Sequence, residues 1–260
     1  MTFYREMVKA IQFYVHAFRF IDKNKLYSFL LYPSILNLLA ALFVGYLAWL
    51  TSGWLSNAFL VKINLSHDLS SLSNFLEIVI SLLIKGFVLF FYLKIYRYII
   101  LIFYAPVYVF ITEIVLCKLT GVRHKFHTRH FTLAIFRAMR TGAKNFFMEI
   151  LLSLCVVIFT LTITWLLPLA PILLFIVESF FFASALADFR NFYAQLHEKE
   201  SHELITHHPG MVLGNGVIFN FLLLVPLIGI LFAPVLALVA SILSFDSIDK
   251  KGEVYVPAIS

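Results

Sequence analysis

A basic, hydroxyl-bearing segment precedes the first strongly apolar run of the chain and has the composition of an anion site. It contains Lys23, Lys25, Tyr27 and Ser28. If a helix begins here, its unpaired amide groups and the positive end of its dipole add to the lysine charges, an arrangement that binds oxyanions. The same residues are also suited to anchoring a basic helix end among lipid headgroups. The segment therefore predicts either an anion-binding site or an interfacial anchor.

Four polar residues lie inside long apolar runs, where such side chains usually face protein or a water path. They are Asn37, Lys85, Glu178 and Asn220. We predict that Lys85 and Glu178 either pair with each other or line a polar route for a permeant. The two asparagines are predicted to link helices by hydrogen bonds or to coordinate that permeant.

A basic stripe follows from the spacing of Arg137, Arg140 and Lys144, which recur at helical intervals and so share one helix face. Such a stripe either gathers anions at the mouth of a pore or contacts lipid phosphate. Phe131, Ile135 and other apolar residues of the same segment point elsewhere.

Metal and catalytic chemistry have no comparable signal. The cysteines, Cys117 and Cys155, are far apart in apolar surroundings, and the spacing of four histidines on a charged segment matches no compact metal site: His197, His202, His207 and His208. No glycine-rich phosphate loop, nucleophile elbow or paired-histidine helix motif is present. We therefore predict no catalytic residue, no metal site and no cofactor.

Composition predicts what surrounds all of these residues. Hydrophobic residues make up 62% of the 260 and charged residues 13%, against about half and about a quarter in ordinary soluble domains. The apolar runs are too long for barrel strands, and a backbone in lipid must otherwise be helical. We expect an all-α integral membrane protein and not a soluble enzyme, and we assign the formal charge of +6 to contact with anionic headgroups and not to nucleic acid.

The first half of the chain is predicted to start with an interfacial amphipathic helix over residues 3–23. Its apolar face comprises the following side chains: Tyr4, Met7, Val8, Ile11, Val15 and Phe18. A break is expected at Ala105–Pro106, because the residue before a proline is disfavoured in helical geometry. Around that break we expect these segments: an apolar run at 26–50, a polar connection at 51–74, a long crossing at 75–104 and a shorter helix at 107–119.

The second half is predicted to contain a long helix that continues from the basic stripe to residue 167, then a hairpin turn at Leu167–Pro171. The second arm, residues 172–187, is short for a full crossing. The segment from Asp188 to Gly210 is the longest stretch expected to face water.

The last apolar run, residues 216–243, contains Pro226, Gly229 and Pro234. These breaks predict two half-helices folded back on each other inside the membrane. We expect one transmembrane domain over residues 1–245 and a polar tail over residues 246–260.

Several of these residues together resemble the EI24/CysZ family of membrane proteins, over about residues 12 to 245. The resemblance rests on these blocks in order: Pro33 with Asn37, Ala105-Pro106 with Glu113 and Leu119-Thr120-Gly121, Ala187-Asp188-Phe189, Gly214, and Val225-Pro226-Leu227-Ile228 with Ala233-Pro234. It implies two long spanning helices and shorter hairpins that partly penetrate the bilayer, as the segment lengths also suggest. The family's Pro-Gly-x-Arg-Arg pattern before the first proline is replaced here by residues 24–28, without the arginine pair.

The function that the resemblance implies is a permease or channel for an inorganic oxyanion, with sulfate as a candidate and no ATPase of its own. The expected setting is multi-pass, in a bacterial inner membrane, with membrane lipids as partners and a homo-oligomer as the assembly. The alternative is a non-transporting membrane or envelope protein that binds or shapes lipid.

Overall fold

A computed structural model describes residues 3–62, 71–121, 128–225 and 228–249. In that part of the chain the regular elements are all helical and no strand occurs, which confirms the all-α prediction. The helices are α1 (Phe3–Lys23), α2 (Tyr27–Lys62), α3 (Ser71–Phe103), α4 (Ala105–Thr120), α5 (Thr128–Thr162), a short 3-10 helix (Thr164–Leu169), α6 (Ala170–Tyr193), α7 (Glu198–His207), α8 (Pro209–Leu223) and α9 (Ile228–Asp249).

Several helices are long and apolar enough to cross a membrane. Among the described residues four candidate spans occur: Pro33–Val61, Thr128–Thr162, Thr164–Tyr193 and Leu231–Ile248. A fifth arises if Tyr96–Phe103 and Ala105–Thr120 form one broken span. These helices confirm the membrane assignment, whereas the division into two long crossings and partly inserted hairpins stays a prediction.

The break between α3 and α4 lies where the sequence predicts it. The two helical segments are bent by 63°, and Pro106 occupies the first turn of α4, where its missing amide hydrogen interrupts no intrahelical bond. Gly121 ends α4 with a φ of 71°, a left-handed conformation that glycine adopts without steric strain.

The predicted polar connection at residues 51–74 is wrong over most of its length. α2 continues through Lys62 and α3 begins at Ser71, while residues 63–70 lie outside the described part of the chain. The hydroxyl of Thr51 donates to the carbonyl of Leu47 at 2.9 Å, and Ser52 and Ser56 make similar bonds to carbonyls three residues earlier. Because these polar groups are satisfied within the helix, they do not end it.

Two units make up the chain, one containing Met1–Ile35 with Leu101–Ser260 and the other Leu36–Ile100. The second unit consists of most of α2 and α3. Within it, the hydroxyl of Tyr96 donates to the backbone carbonyl of Asn37 at 3.0 Å and links the two helices. The exposed tryptophans of α2, Trp49 and Trp54, suit a surface surrounded by lipid.

The first unit is built around α6 and α8, which pack on each other and on α9. α8 also contacts α1, and α6 contacts α5. A Cβ atom on Gly214 would lie 2.6 Å from that of Ala10, and one on Gly216 would meet the carbonyl of Ser179. Small residues at such contacts let helix backbones approach closely in apolar surroundings.

α1 has the predicted span and, in addition, a face that is buried in the protein. The buried side chains are Glu6, Ala10, Tyr14, Ala17 and Ile21. Most of the predicted apolar face stays exposed, with Tyr4 74% and Phe18 62% accessible, whereas Met7 and Val8 are partly buried. α1 therefore packs on the helix bundle with one face and leaves a second, apolar face available to lipid.

α5 and α6 pack on each other and are joined by the 3-10 helix Thr164–Leu169. The predicted bounds are wrong, because α5 ends at Thr162 and not at residue 167, and α6 runs from Ala170 to Tyr193, which is longer than residues 172–187 and begins inside the predicted turn at Leu167–Pro171. The predicted water-facing stretch is wrong at its start, because Asp188, Arg190 and Asn191 are buried.

α8 and α9 are separate helices that pack on each other, but Gly229 and Pro234 lie within α9 and do not end it. Pro226 lies outside the described residues, and the fold-back of the two helices inside the membrane stays a prediction. α9 extends to Asp249, and Ile248 near its end is buried.

Candidate functional site

A buried ion pair joins the two arms of the α5–α6 hairpin. Arg137 donates from Nη2 to Oδ1 of Asp188 at 2.7 Å and from Nε to Oδ2 at 3.1 Å. The two side chains are 13% and 6% exposed. A planar guanidinium that meets a carboxylate at two points gains directional specificity as well as attraction.

Neighbouring groups complete the hydrogen bonding of this pair. The Thr141 hydroxyl donates to Oδ2 of Asp188 at 2.9 Å, and the Ser201 hydroxyl donates to Oδ1 at 2.6 Å. Nη1 of Arg137 donates to the backbone carbonyl of Leu196 at 2.5 Å. Each carboxylate oxygen of Asp188 thus accepts two bonds, and the network connects α5, α6 and the start of α7.

The surroundings of the network explain how it persists beside apolar helices. A buried charge is strongly unfavourable unless its partner and its remaining hydrogen bonds are all present. The amide of Asn191 donates to the Ser201 hydroxyl at 2.9 Å, and the ring of Phe192 lies 5.6 Å from the Arg137 guanidinium carbon, within cation–π distance. The pair is therefore held in one geometry.

A cavity of about 50 Å³ opens beside this network. Its lining on α5 is Arg140, Thr141, Lys144 and Asn145, and its lining on α6 and α7 comprises these residues: Ser184, Asp188, Glu198, Ser201, His202 and Ile205. Arg140 donates to Glu198 at 3.2 Å, and these side chains are 76% and 46% exposed, so their attraction is weak.

The predicted basic stripe therefore divides into two parts. Arg137 has neither of the roles predicted for it, because its donors bind Asp188 and Leu196. Arg140 and Lys144 lie at the cavity instead. Sequence spacing placed the three on one helix face, but it did not show that one of them has a carboxylate partner on another helix.

The predicted anion segment between α1 and α2 is less open to a ligand than its composition suggests. Lys23 and Lys25 are exposed, and Lys25 has a φ of 52° in the turn. The Tyr27 hydroxyl donates to a carboxylate oxygen of Asp22, and this hydrogen bond raises the pKa of Tyr27. α2 begins at Tyr27, while the side chain of Ser28 lies outside the described part; anion binding here stays a prediction.

The four predicted intramembrane residues lie in different surroundings. Asn220 on α8 donates to the Ser179 hydroxyl on α6 at 2.8 Å. Asn37 is fully buried, and its side-chain amide has no hydrogen-bond partner among the described residues. Lys85 on α3 is exposed and Glu178 on α6 is buried; their roles in pairing or permeation stay predictions.

A further buried carboxylate, Glu149 on α5, was not singled out from the sequence. It is 1% exposed and lies within an apolar run, which is the same signal that identified Glu178. The amide of Asn145 donates to the carbonyl of Phe181 at 3.3 Å. That bond sets the antiparallel register of α5 and α6, which places Glu149 and Glu178 at about the same level of the hairpin.

Within residues 3–62, 71–121, 128–225 and 228–249, no three side chains of histidine, cysteine, aspartate or glutamate come together in a way that could hold a metal ion.

Comparisons with known proteins identify the family. A comparison with curated proteins finds no match. The family model described as sulfate transporter CysZ/etoposide-induced protein 2.4 matches residues 13–234, a range that begins in α1, ends in α9 and includes the cavity. The chain therefore belongs to the EI24 family, the family of the sulfate transporter CysZ and etoposide-induced protein 2.4.

Proposed function

We propose that the protein is a permease through which an inorganic oxyanion, with sulfate as the first candidate, crosses the membrane. The observation that carries the proposal is the family match over residues 13–234 on a chain with at least four helices able to span a bilayer. The permease has no ATPase of its own and no enzymatic activity. Its proposed setting is a bacterial inner membrane, where it forms a homo-oligomer.

The permeation route proposed from the sequence passes Asn37, Lys85, Glu178 and Asn220. The burial of Glu178 and Asn220 supports this route, because polar groups inside apolar helices usually face protein or a water path. Glu149 is added to it as a second buried carboxylate of the α5–α6 hairpin.

The test is uptake of radiolabelled sulfate into proteoliposomes that contain the purified protein. Uptake several-fold above that of protein-free vesicles, reduced by excess selenate or sulfite but not by chloride, is expected. Flux equal to that of empty vesicles for each of these oxyanions would remove the proposal. A variant with Lys23→Gln and Lys25→Gln, measured in parallel, tests the predicted anion segment, and unchanged sulfate affinity would count against that segment alone.

The exposed apolar face of α1 favours a second candidate function, a lipid-binding or membrane-shaping role. Tyr4 and Phe18 are largely accessible, and Arg5 and Arg19 are exposed on the same helix, a combination typical of helices that lie in a membrane interface. Vesicle tubulation without sulfate flux, abolished by Phe18→Asp, would support this alternative. Normal vesicle shape with sulfate flux would contradict it.

A further inference from the structure

We infer that the cavity between α5, α6 and α7 is a binding site for a tetrahedral oxyanion group held by Arg140 and Lys144. The inference rests on the proposed function and adds to it a site other than the predicted segment at residues 23–28. It follows from the charge of the cavity, its hydrogen-bond donors, its size and its position.

The charge at the cavity is positive because the acidic side chains there are already compensated. Asp188 is neutralised by Arg137, and Glu198 meets Arg140 through one hydrogen bond. Lys144 has no ion-pair or hydrogen-bond partner in the described part of the chain, which leaves its charge uncompensated. An anion that enters the cavity is therefore attracted by the charge of Lys144.

The cavity also has hydrogen-bond donors, on Arg140 and Lys144, that suit an anion. The hydroxyls of Thr141 and Ser201 donate to Asp188 and hold the wall in place. Arg140 uses one of its five N–H groups on Glu198. The rest of its planar fork can grip two oxygens of one oxyanion, and Lys144 adds a point charge.

The size and position of the cavity suit a small polyatomic anion. Its volume of about 50 Å³ is several times the roughly 10 to 15 Å³ that holds one water, so a group of five heavy atoms fits. From Lys144 to the end of α5 at Thr162 the helix rises about 27 Å, close to the ~30 Å hydrocarbon core. With the exposed Trp165 at the hairpin tip, this length places the cavity at headgroup level, accessible to a free oxyanion or a lipid phosphate.

The test compares two double variants with equal loss of charge. Arg140→Gln with Lys144→Gln removes the cavity cations, and Arg129→Gln with Lys199→Gln removes one exposed arginine of α5 and one exposed lysine of α7 that do not line the cavity. Binding of radiolabelled sulfate is measured in lipid-free detergent. Phospholipid retention is the amount of phosphatidylglycerol that stays bound when the protein is purified from nanodiscs of phosphatidylcholine with phosphatidylglycerol. Gel filtration verifies folding, and Lys144→Glu provides a second cavity variant.

We expect the cavity variants to weaken sulfate binding, phospholipid retention or both by at least tenfold, with the control within twofold of wild type. Loss of sulfate binding in detergent identifies a free oxyanion as the ligand. Loss of phospholipid retention in nanodiscs alone identifies a lipid phosphate. Equal binding by wild type and both cavity variants would overturn the site, even if wild-type vesicles still transport sulfate. Binding that is lost in the cavity variants, with no flux in wild type, would support the site and remove the permease.

Discussion

Glu6 on α1 and His208 at the start of α8 meet with 2.7 Å between Oε1 and Nδ1, although 202 residues separate them. The side chain of Glu6 is buried and that of His208 is partly buried, at 3% and 16% exposure. Together with the contact of Gly214 against Ala10, this pair fastens the N-terminal helix to the C-terminal half of the chain. The amphipathic helix is thus part of the folded bundle as well as a candidate membrane contact.

Replacing Glu6 by alanine is expected to loosen α1. The change leaves His208 buried without its partner, a loss of about 1–3 kcal/mol. Hydrogen–deuterium exchange should show faster uptake along residues 3–23 in detergent-purified protein. His207→Ala provides the control, since His207 is exposed and contacts the carbonyl of Glu203 on its own helix. Equal protection of α1 in all three proteins would contradict the fastening role.

Asp188→Ala is expected to destabilise the protein by about 3–5 kcal/mol, because it leaves the Arg137 charge buried and uncompensated. Glu198→Ala breaks the exposed pair with Arg140 and should change stability by less than about 1 kcal/mol. Unfolding by SDS titration in mixed micelles measures both. Similar midpoints for the two variants would show that the buried pair is not held as the structure has it.

Gly216→Val is expected to separate α8 from α6, since even a Cβ atom at this position would meet the Ser179 carbonyl. A loss of several kcal/mol, with a lower midpoint in the same titration, is expected from such overpacking. Gly45→Ala is the control, because among the described residues beyond its own stretch of helix no atom lies within 4 Å of its added Cβ, and alanine favours a helix by roughly 0.5–1 kcal/mol. A stable Gly216→Val protein would rule out this close helix contact.

Tyr14 is expected to make the stability of the folded protein fall at alkaline pH. Its hydroxyl donates to the Asn215 carbonyl at 2.7 Å, and burial raises its pKa. A group whose folded-state pKa is raised contributes stability that is complete below its unfolded pKa of about 10 and is lost as pH rises above that value.

Wild type should therefore lose stability between pH 10 and 12 more steeply than Tyr14→Phe, as followed by thermal unfolding across that range. At neutral pH the variant should be weaker by about 1 kcal/mol, the contribution of one hydrogen bond. Parallel stability curves for the two proteins above pH 10 would exclude a buried neutral phenol at this position.

Much of the fold could be predicted because its causes are local. The break at Ala105–Pro106 follows from the chemistry of proline, and the α5–α6 hairpin follows from two apolar runs with prolines between them. The prediction failed at residues 51–74, where Gly53 and a cluster of serines favour a polar connection. The hydroxyls of Ser52 and Ser56 bond backbone carbonyls of the same helix, and composition does not distinguish a serine in a loop from one that bonds its own helix.

The roles of the residues at the candidate site could not be predicted from the sequence. The spacing of Arg137, Arg140 and Lys144 places them on one face, and Asp188 stood out as the start of a polar segment and in the family resemblance, but not as the partner of Arg137. Their different roles depend on the register between α5 and α6, which is set by side chains that meet across the hairpin.

By itself the sequence determined that this chain is helical, that its composition suits a membrane and that a helix breaks just before Pro106, because hydropathy and proline geometry act over neighbouring residues. Only the tertiary structure decided that Arg137 is neutralised by Asp188, 51 residues away, while Arg140 and Lys144 line a cavity. The physical reason is that compensation of a charge depends on distances across helices, and these distances exist only once the helices have packed.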